Sequence, residues 1–331
     1  MKLATLSNGR PDGALAVISG DGARFLSASR WPTLQSALDD WADAEPELIR
    51  LYESLGTDHG EPLDPARLLA PLPRAWQWLD GSAYRSHGEL MERLFGSPPP
   101  PPGRPLMYQG MSHRFLSATE DVVLPRTEDG IDFEGEFGVI TDAVPMGVTP
   151  EQAMSHIKLI VQINDWSLRV LAQPEMKTGF GWVQAKPACS VAPFAVTPEA
   201  LGDSWRDGRV QLPLRVDWNG QWFGAPLGGL MEFGFHELIA HAAASRDLCA
   251  GTIIGSGTVS NPDYRTVGSS CIAERRGIEI LDEGQPRTAY MQHGDRVRME
   301  AAFPDGAVLF GAIDQVVRAA AAAPLIEPDQ N

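Results

Sequence analysis

Three stretches of this 331-residue chain combine residue types and spacings that could do chemistry. The first is IDFEGEFGVIT, residues 131–141. On a strand, side chains alternate between faces, so Glu134 and Glu136 point the same way about 7 Å apart, close enough to share a cation. A solvated strand face is the ordinary reading of any Glu-x-Glu pair. Here the same face continues into Gly138 and Ile140, while the other carries Phe133, Phe137 and Val139. Carboxylates opening a strand that is apolar on both faces need a partner, because unpaired buried charge is costly.

The second stretch is IKLIVQINDWSLR, where an apolar strand over 159–163 stops abruptly at Asn164 and Asp165. An acid there suits a ligand, a helix cap or a turn. The third is LDGSAYRSHGELMERLFG. Ser86 and Glu89 have capping-box spacing, which predicts a helix with His87 in its first turn, where the helix dipole disfavours the imidazolium and keeps a potential base neutral. A lone histidine is also an ordinary surface residue, and His87 gains interest only beside a carboxylate and a metal. Asp80, seven residues earlier, is either another ligand or a turn residue. Carboxylates without a matching His or Cys cluster favour a hard divalent cation, magnesium or calcium with manganese as a further option, over zinc.

The elements that must position these groups follow from periodicity. Alternating residues around Asn8-Gly9 and Asp21-Gly22 predict short hairpin strands over residues 1 to about 30. A helix capped by Thr33 then presents Leu34, Ala37, Leu38 and Trp41, and a second carries Leu48, Leu51, Tyr52 and Leu55 up to Gly56. This outlines a small α+β N-terminal domain, residues 1–72, bounded near Pro71 and Pro73, before a β-rich domain over 73–320 and a frayed tail over 321–331. The run Pro98–Pro102 reads as a stiff surface loop placed where a cover could sit.

Bulk properties exclude several classes. With 27 Lys and Arg against 43 Asp and Glu, a net charge of −16 repels phosphate backbones and anionic lipid heads, so neither nucleic acid nor membrane is an expected partner. The three cysteines, Cys189, Cys249 and Cys271, lack C-x-x-C spacing and fit reduced thiols. With no apolar run long enough for a signal peptide or a span, a cytoplasmic location is expected. GTIIGSGTVSN lacks the strand-to-helix context and Lys of a phosphate loop. His236 and His241 stand at i, i+5, about 140° apart around a helix, and receive no role.

Taken together, Asp80 with His87 seven residues on, Glu134 and Glu136, NDWSLR at 164–169, Lys186 in VQAKP and GSGTVSN at 255–261 resemble the fumarylacetoacetase family over most of residues 72–318. The resemblance implies an α+β, β-rich fold: a mixed β-roll catalytic domain behind a smaller N-terminal domain, usually in a homodimer. It implies Asp80, Glu134, Glu136 and Asp165 as metal ligands, His87 as the base that activates water and Glu274 in GSSCIAE as the acid that orients it. It also implies Lys186 as stabiliser of the leaving carbanion, with Tyr108 and Thr258 holding substrate. Ser82 stands where members carry an aromatic hydroxyl, and Gln173 is displaced relative to the usual glutamine after NDWS, so the grip on a substrate carboxylate is expected to differ at Ser82 and Gln173. The implied reaction is hydrolysis of a carbon–carbon bond in a 1,3-diketo acid, fumarylacetoacetate to fumarate and acetoacetate in tyrosine breakdown. The alternatives are acylpyruvate hydrolysis, hydration or decarboxylation of a 2-oxo-enoate, and a catalytically silent binding protein on the same fold.

Overall fold

Alternation around the two Gly-containing turns produces the strands Lys2–Leu6, Ala14–Ile18 and Arg24–Ser27, paired antiparallel in sequence order. This computed structural model describes residues 1–56, 59–95 and 102–321. Residues 98–101 of the proline run and the tail beyond 321 lie outside them.

Thr33 caps the helix Leu34–Leu38, and Ser36 closes the capping box. Trp41, expected on that helix, opens the next one instead, Trp41–Ser54, because the chain turns at Asp39 and Asp40. The apolar face survives the break: Leu34, Ala37, Leu38, Trp41 and Leu48 are buried in one cluster with Leu3, Leu15 and Val17.

The N-terminal strands do not close into a sheet of their own. An edge strand leaves backbone donors and acceptors unpaired. Lys2 and Leu3 satisfy theirs against Val196 and Ala195, so the N-terminal segment extends an eleven-stranded sheet running through the rest of the chain. At its centre, Gly135–Thr141 lies antiparallel to both Ile157–Asn164 and Ile253–Gly255. The last of these pairs parallel with Trp78–Gly81, which in turn pairs antiparallel with Met107–Gln109. Phe133, Phe137 and Val139 pack into one core cluster and Ile140, Leu159, Val161 and Ile163 into another, so the central strands are covered on both faces. A second, five-stranded sheet includes Arg215–Trp218, Arg296–Glu300 and Ile313–Ala319. The whole is a mixed, sheet-rich α+β fold. Among the described residues no helix is long and apolar enough to cross a membrane.

Register fixes where the chemistry sits. Asp80 lies opposite Gly255 on one side and Tyr108 on the other, and Glu136 lies opposite Ile163, two residues before Asp165. One end of the sheet thus gathers Asp80, Tyr108, Glu136 and Asp165. Gly255 is required there: a Cβ at this position would lie 2.3 Å from Asp80 Oδ1 and 2.3 Å from Trp78 Cη2. Trp78 is buried and cannot yield freely. Gly255→Ala is therefore expected to destabilise by about 1–3 kcal/mol, the usual cost of overpacking, seen as a lower urea midpoint at unchanged slope.

Candidate active site

Asp80, Glu136 and Asp165 are all buried, and each offers a carboxylate oxygen within 4.8 Å of the others. Asp80 is steadied by the Gly257 amide, which donates to its Oδ1 at 3.1 Å; Gly257 holds a φ of 74°, which a side chain would strain. Asp165 is more heavily held: Lys186 Nζ lies 2.5 Å and the Tyr108 hydroxyl 2.7 Å from its Oδ2, and the Cys189 thiol donates to Oδ1 at 2.9 Å. Glu136 faces only the other two acids of the triad in this cluster, and among the described residues both its buried carboxylate oxygens lack a hydrogen-bond partner. Burial, followed by the charges of Asp80 and Asp165, pushes Glu136 well above the usual carboxylate range, and burial with Asp165 does the same to Asp80.

Glu134 stands apart from this triad. The sheet strand begins only at Gly135, and Glu134 forms an isolated bridge with Cys271. Its side chain is already satisfied: Lys186 at 2.7 Å, Ser167 at 2.5 Å and Arg169 at 3.2 Å meet Oε1, and the Thr258 hydroxyl donates to Oε2. Burial pushes its carboxyl up, but Arg169 and Lys186 outweigh that and hold it well below the ordinary value. Burial would likewise discharge Lys186, yet Asp165 and Glu134 reverse the shift and keep it protonated. Two of its three N–H donors are thereby committed, which leaves one. Lys186→Met removes the cation that two buried carboxylates share. In metal-free protein it is expected to cost about 3–5 kcal/mol, measured by chemical denaturation; an unchanged midpoint would mean that the carboxylates find other partners.

A second constellation adjoins the first. His87 lies in the first turn of the helix Arg85–Phe95, as its spacing predicts, although Ser86 is not the cap. The helix starts at Arg85, two residues before the first position a Ser86 cap would give, the Ser86 hydroxyl donates to Ser260 at 2.9 Å, and Glu89 pairs with Arg85. His87 Nδ1 meets Glu274 Oε2 at 2.9 Å, with Glu274 fully buried in the first turn of the helix Ile272–Glu283. Nδ1 facing a carboxylate carries the proton and leaves the Nε2 lone pair free. The two helices approach closely because residue 277 is glycine: a Cβ there would meet Leu94 Cδ1 at 2.5 Å.

The remaining expected substrate residues are less gathered. Tyr108 is bound to Asp165 and stacks edge-on against Trp182 at 4.6 Å, and Thr258 is bound to Glu134. Ser82 and Gln173 are exposed, and among the described residues neither side chain hydrogen-bonds to the site. Composition and spacing gave no role to Cys189, Ser167 or Trp182, whose contacts appear only in three dimensions. Arg169 lay inside a quoted motif without a role. Asp132 was legible in principle, since it alternates with Glu134 and Glu136 along IDFEGEF.

The fumarylacetoacetate (FAA) hydrolase C-terminal family matches residues 77–318, and the fumarylacetoacetase N-terminal domain 2 family matches residues 1–74; the chain belongs to the fumarylacetoacetate hydrolase family. It is 26% identical over 162 residues to the 2,4-didehydro-3-deoxy-L-rhamnonate hydrolase of Sphingomonas sp. (strain SKA58), a match covering 48% of this chain and about half, 54%, of that relative's length. It is 27% identical over 253 residues to the oxaloacetate tautomerase YisK of Bacillus subtilis (strain 168), covering 75% of this chain and 76% of the relative. The fold resembles that of the maleylpyruvate hydrolase from Sphingobium sp. SYK-6, a structure in complex with manganese(II) ion and pyruvate, with a TM-score of 0.64 at 18% identity over 96% of this chain and 100% of that one.

Proposed function

We infer that this protein hydrolyses a carbon–carbon bond in a 1,3-diketo acid with the help of a divalent cation, and that fumarylacetoacetate is the first substrate to test. The observation that carries the reading is the pairing of a fully buried Glu136, without a hydrogen-bond partner among the described residues, with a His87–Glu274 dyad. Each half is costly alone, and together they make a hydrolytic site.

The residues fit a hard cation. Asp80, Glu136 and Asp165 would hold it, an all-oxygen set suited to magnesium, manganese or calcium. Glu134, saturated by Lys186, Arg169, Ser167 and Thr258, supports that set from outside it. When bound, such an ion supplies Lewis-acid polarisation of a substrate carbonyl.

The chain's own groups do the rest. His87 Nε2 takes a proton from water, and Glu274 stabilises the resulting imidazolium through Nδ1. Water's oxygen attacks the carbonyl, and the tetrahedral oxyanion collapses with cleavage of the carbon–carbon bond. The electron pair departs as an enolate that His87 then protonates. The one uncommitted N–H of Lys186 is available to the developing negative charge. Ultraviolet absorbance of fumarylacetoacetate, followed with added cation and in an EDTA control, tests the reading. No loss of absorbance from metal-loaded protein would overturn the substrate.

A second reading rests on the tautomerase relative, which the chain matches over three-quarters of both lengths. A dyad able to move a proton at a carbon next to a carbonyl suffices for keto–enol exchange without attack by water. Product analysis separates the two readings: cleavage gives two acids, exchange gives one isomer of unchanged mass.

A further inference from the structure

The helix that carries Glu274 has a weak start of its own. Its N-cap residue is Cys271, whose sulfur accepts from the Glu274 amide at 3.3 Å, a poor substitute for the Ser, Thr, Asp or Asn usually found there. The strong acceptor comes from far away in sequence. Asp132 Oδ1 accepts from the Ile272 amide at 2.7 Å and Asp132 Oδ2 from the Ala273 amide at 2.9 Å. Asp132 is fully buried, on the two-residue strand Ile131–Asp132 that pairs with Ser167 and Leu168.

The same carboxylate faces the other half of the site. Arg169 Nε donates to Asp132 Oδ2 at 2.8 Å, while its Nη2 lies 3.2 Å from Glu134 Oε1. Two residues along the chain, the Glu134 backbone bridges Cys271. One buried acid therefore fastens the first two amides of the Glu274 helix to the strand that leads into the metal-triad end of the sheet. A carboxylate suits the task, because two amide donors and a guanidinium converge on it. An amide side chain would present an N–H to one of those three donors.

We propose that Asp132 is a positioning residue: by anchoring the start of the helix Ile272–Glu283 it sets Glu274 at hydrogen-bonding distance from His87, and so fixes the tautomer and orientation of the base. This rests on the His87–Glu274 dyad being the working base of the proposed hydrolase. The carboxylate that steadies the base is itself steadied from the other side of the site.

The test begins with a readout independent of turnover. A His87 Nδ1 proton held by a carboxylate gives a downfield proton resonance, assigned by its loss in Glu274→Gln. Asp132→Asn is expected to broaden or abolish that resonance, while Cys189→Ser, whose side chain hydrogen-bonds to Asp165 and to neither His87 nor Glu274, leaves it in place. With substrate, kcat is expected to fall by about 10- to 100-fold, the range for partners that orient a working side chain, with manganese affinity close to that of the parent. The losses from Asp132→Asn and Glu274→Gln should be non-additive, the double variant resembling the worse single one. A resonance unchanged in Asp132→Asn, additive losses, or an equal collapse of manganese affinity would each overturn the proposal. Asp132→Ser, which keeps an oxygen acceptor on a shorter side chain and removes the charge, is the second variant; failure of both to fold would overturn it too, by making Asp132 a determinant of the fold. If no diketo acid is turned over, the resonance still decides the positioning claim, and the hydrolase reading fails separately.

Discussion

Glu136→Gln is expected to abolish divalent-cation binding while leaving the metal-free protein as stable as the parent or more so. The two effects have one origin. Both Glu136 oxygens are buried without a hydrogen-bond partner among the described residues, and burial and two neighbouring carboxylates raise its protonation well above the ordinary range. In metal-free protein, ionised Glu136 is a cost that the fold carries. Removing the charge relieves that cost and deletes the one ligand of the three that has no hydrogen-bond partner among the described residues. Titration calorimetry with manganese should show affinity reduced by at least about 100-fold, beyond the 10- to 100-fold typical of outer partners. Thermal unfolding offers the second arm: a cation at 100 times its Kd stabilises the parent by about 2.7 kcal/mol, and that increment should vanish in the variant. A variant that still bound manganese tightly, or a metal-free form much less stable than the parent, would mean that Glu136 has a purely structural partner, and the triad would lose its meaning.

Much of this site was legible because charge in an apolar pattern is a strong signal. Glu134 and Glu136 stand out against Phe133, Phe137 and Val139, and Asp165 against the run that precedes it. Strand identity followed from the same pattern. What the pattern could not supply was the division of labour among four acids. Glu134 and Glu136 look equivalent at i, i+2, yet one is saturated by Lys186, Arg169, Ser167 and Thr258 and the other is left bare. Those partners come from segments 33 to 124 residues away and are invisible to local periodicity. Helix boundaries failed for the opposite reason: Ser86 had the right chemistry for a cap, but Ser260 offered its hydroxyl a partner, and the helix began at Arg85. The N-terminal strands read correctly as hairpins. Nothing in their composition said that Leu3 would pair with Ala195 and merge them into the main sheet.

Replacing His87 with alanine separates the two halves of the site and is the sharper test of the proposed chemistry. The triad's carboxylates do not touch His87 in any hydrogen bond, so manganese affinity should be retained. Turnover should not. A general base contributes about 10²- to 10⁴-fold, and the loss should fall on kcat rather than KM, because the interaction matters only as the proton moves. His87 is partly exposed, with 15% of its side chain accessible, so its removal leaves little cavity and the fold should tolerate it. The variant also leaves Glu274, a fully buried carboxylate, without the one side-chain partner it has among the described residues. A smaller, separate destabilisation is therefore expected, and Glu274→Gln in the same background should remove it. Should His87→Ala keep full hydrolytic activity, the base lies elsewhere and the dyad is structural; should it lose cleavage but keep keto–enol exchange, the water-activating role would stand and the second proton transfer would belong to another group.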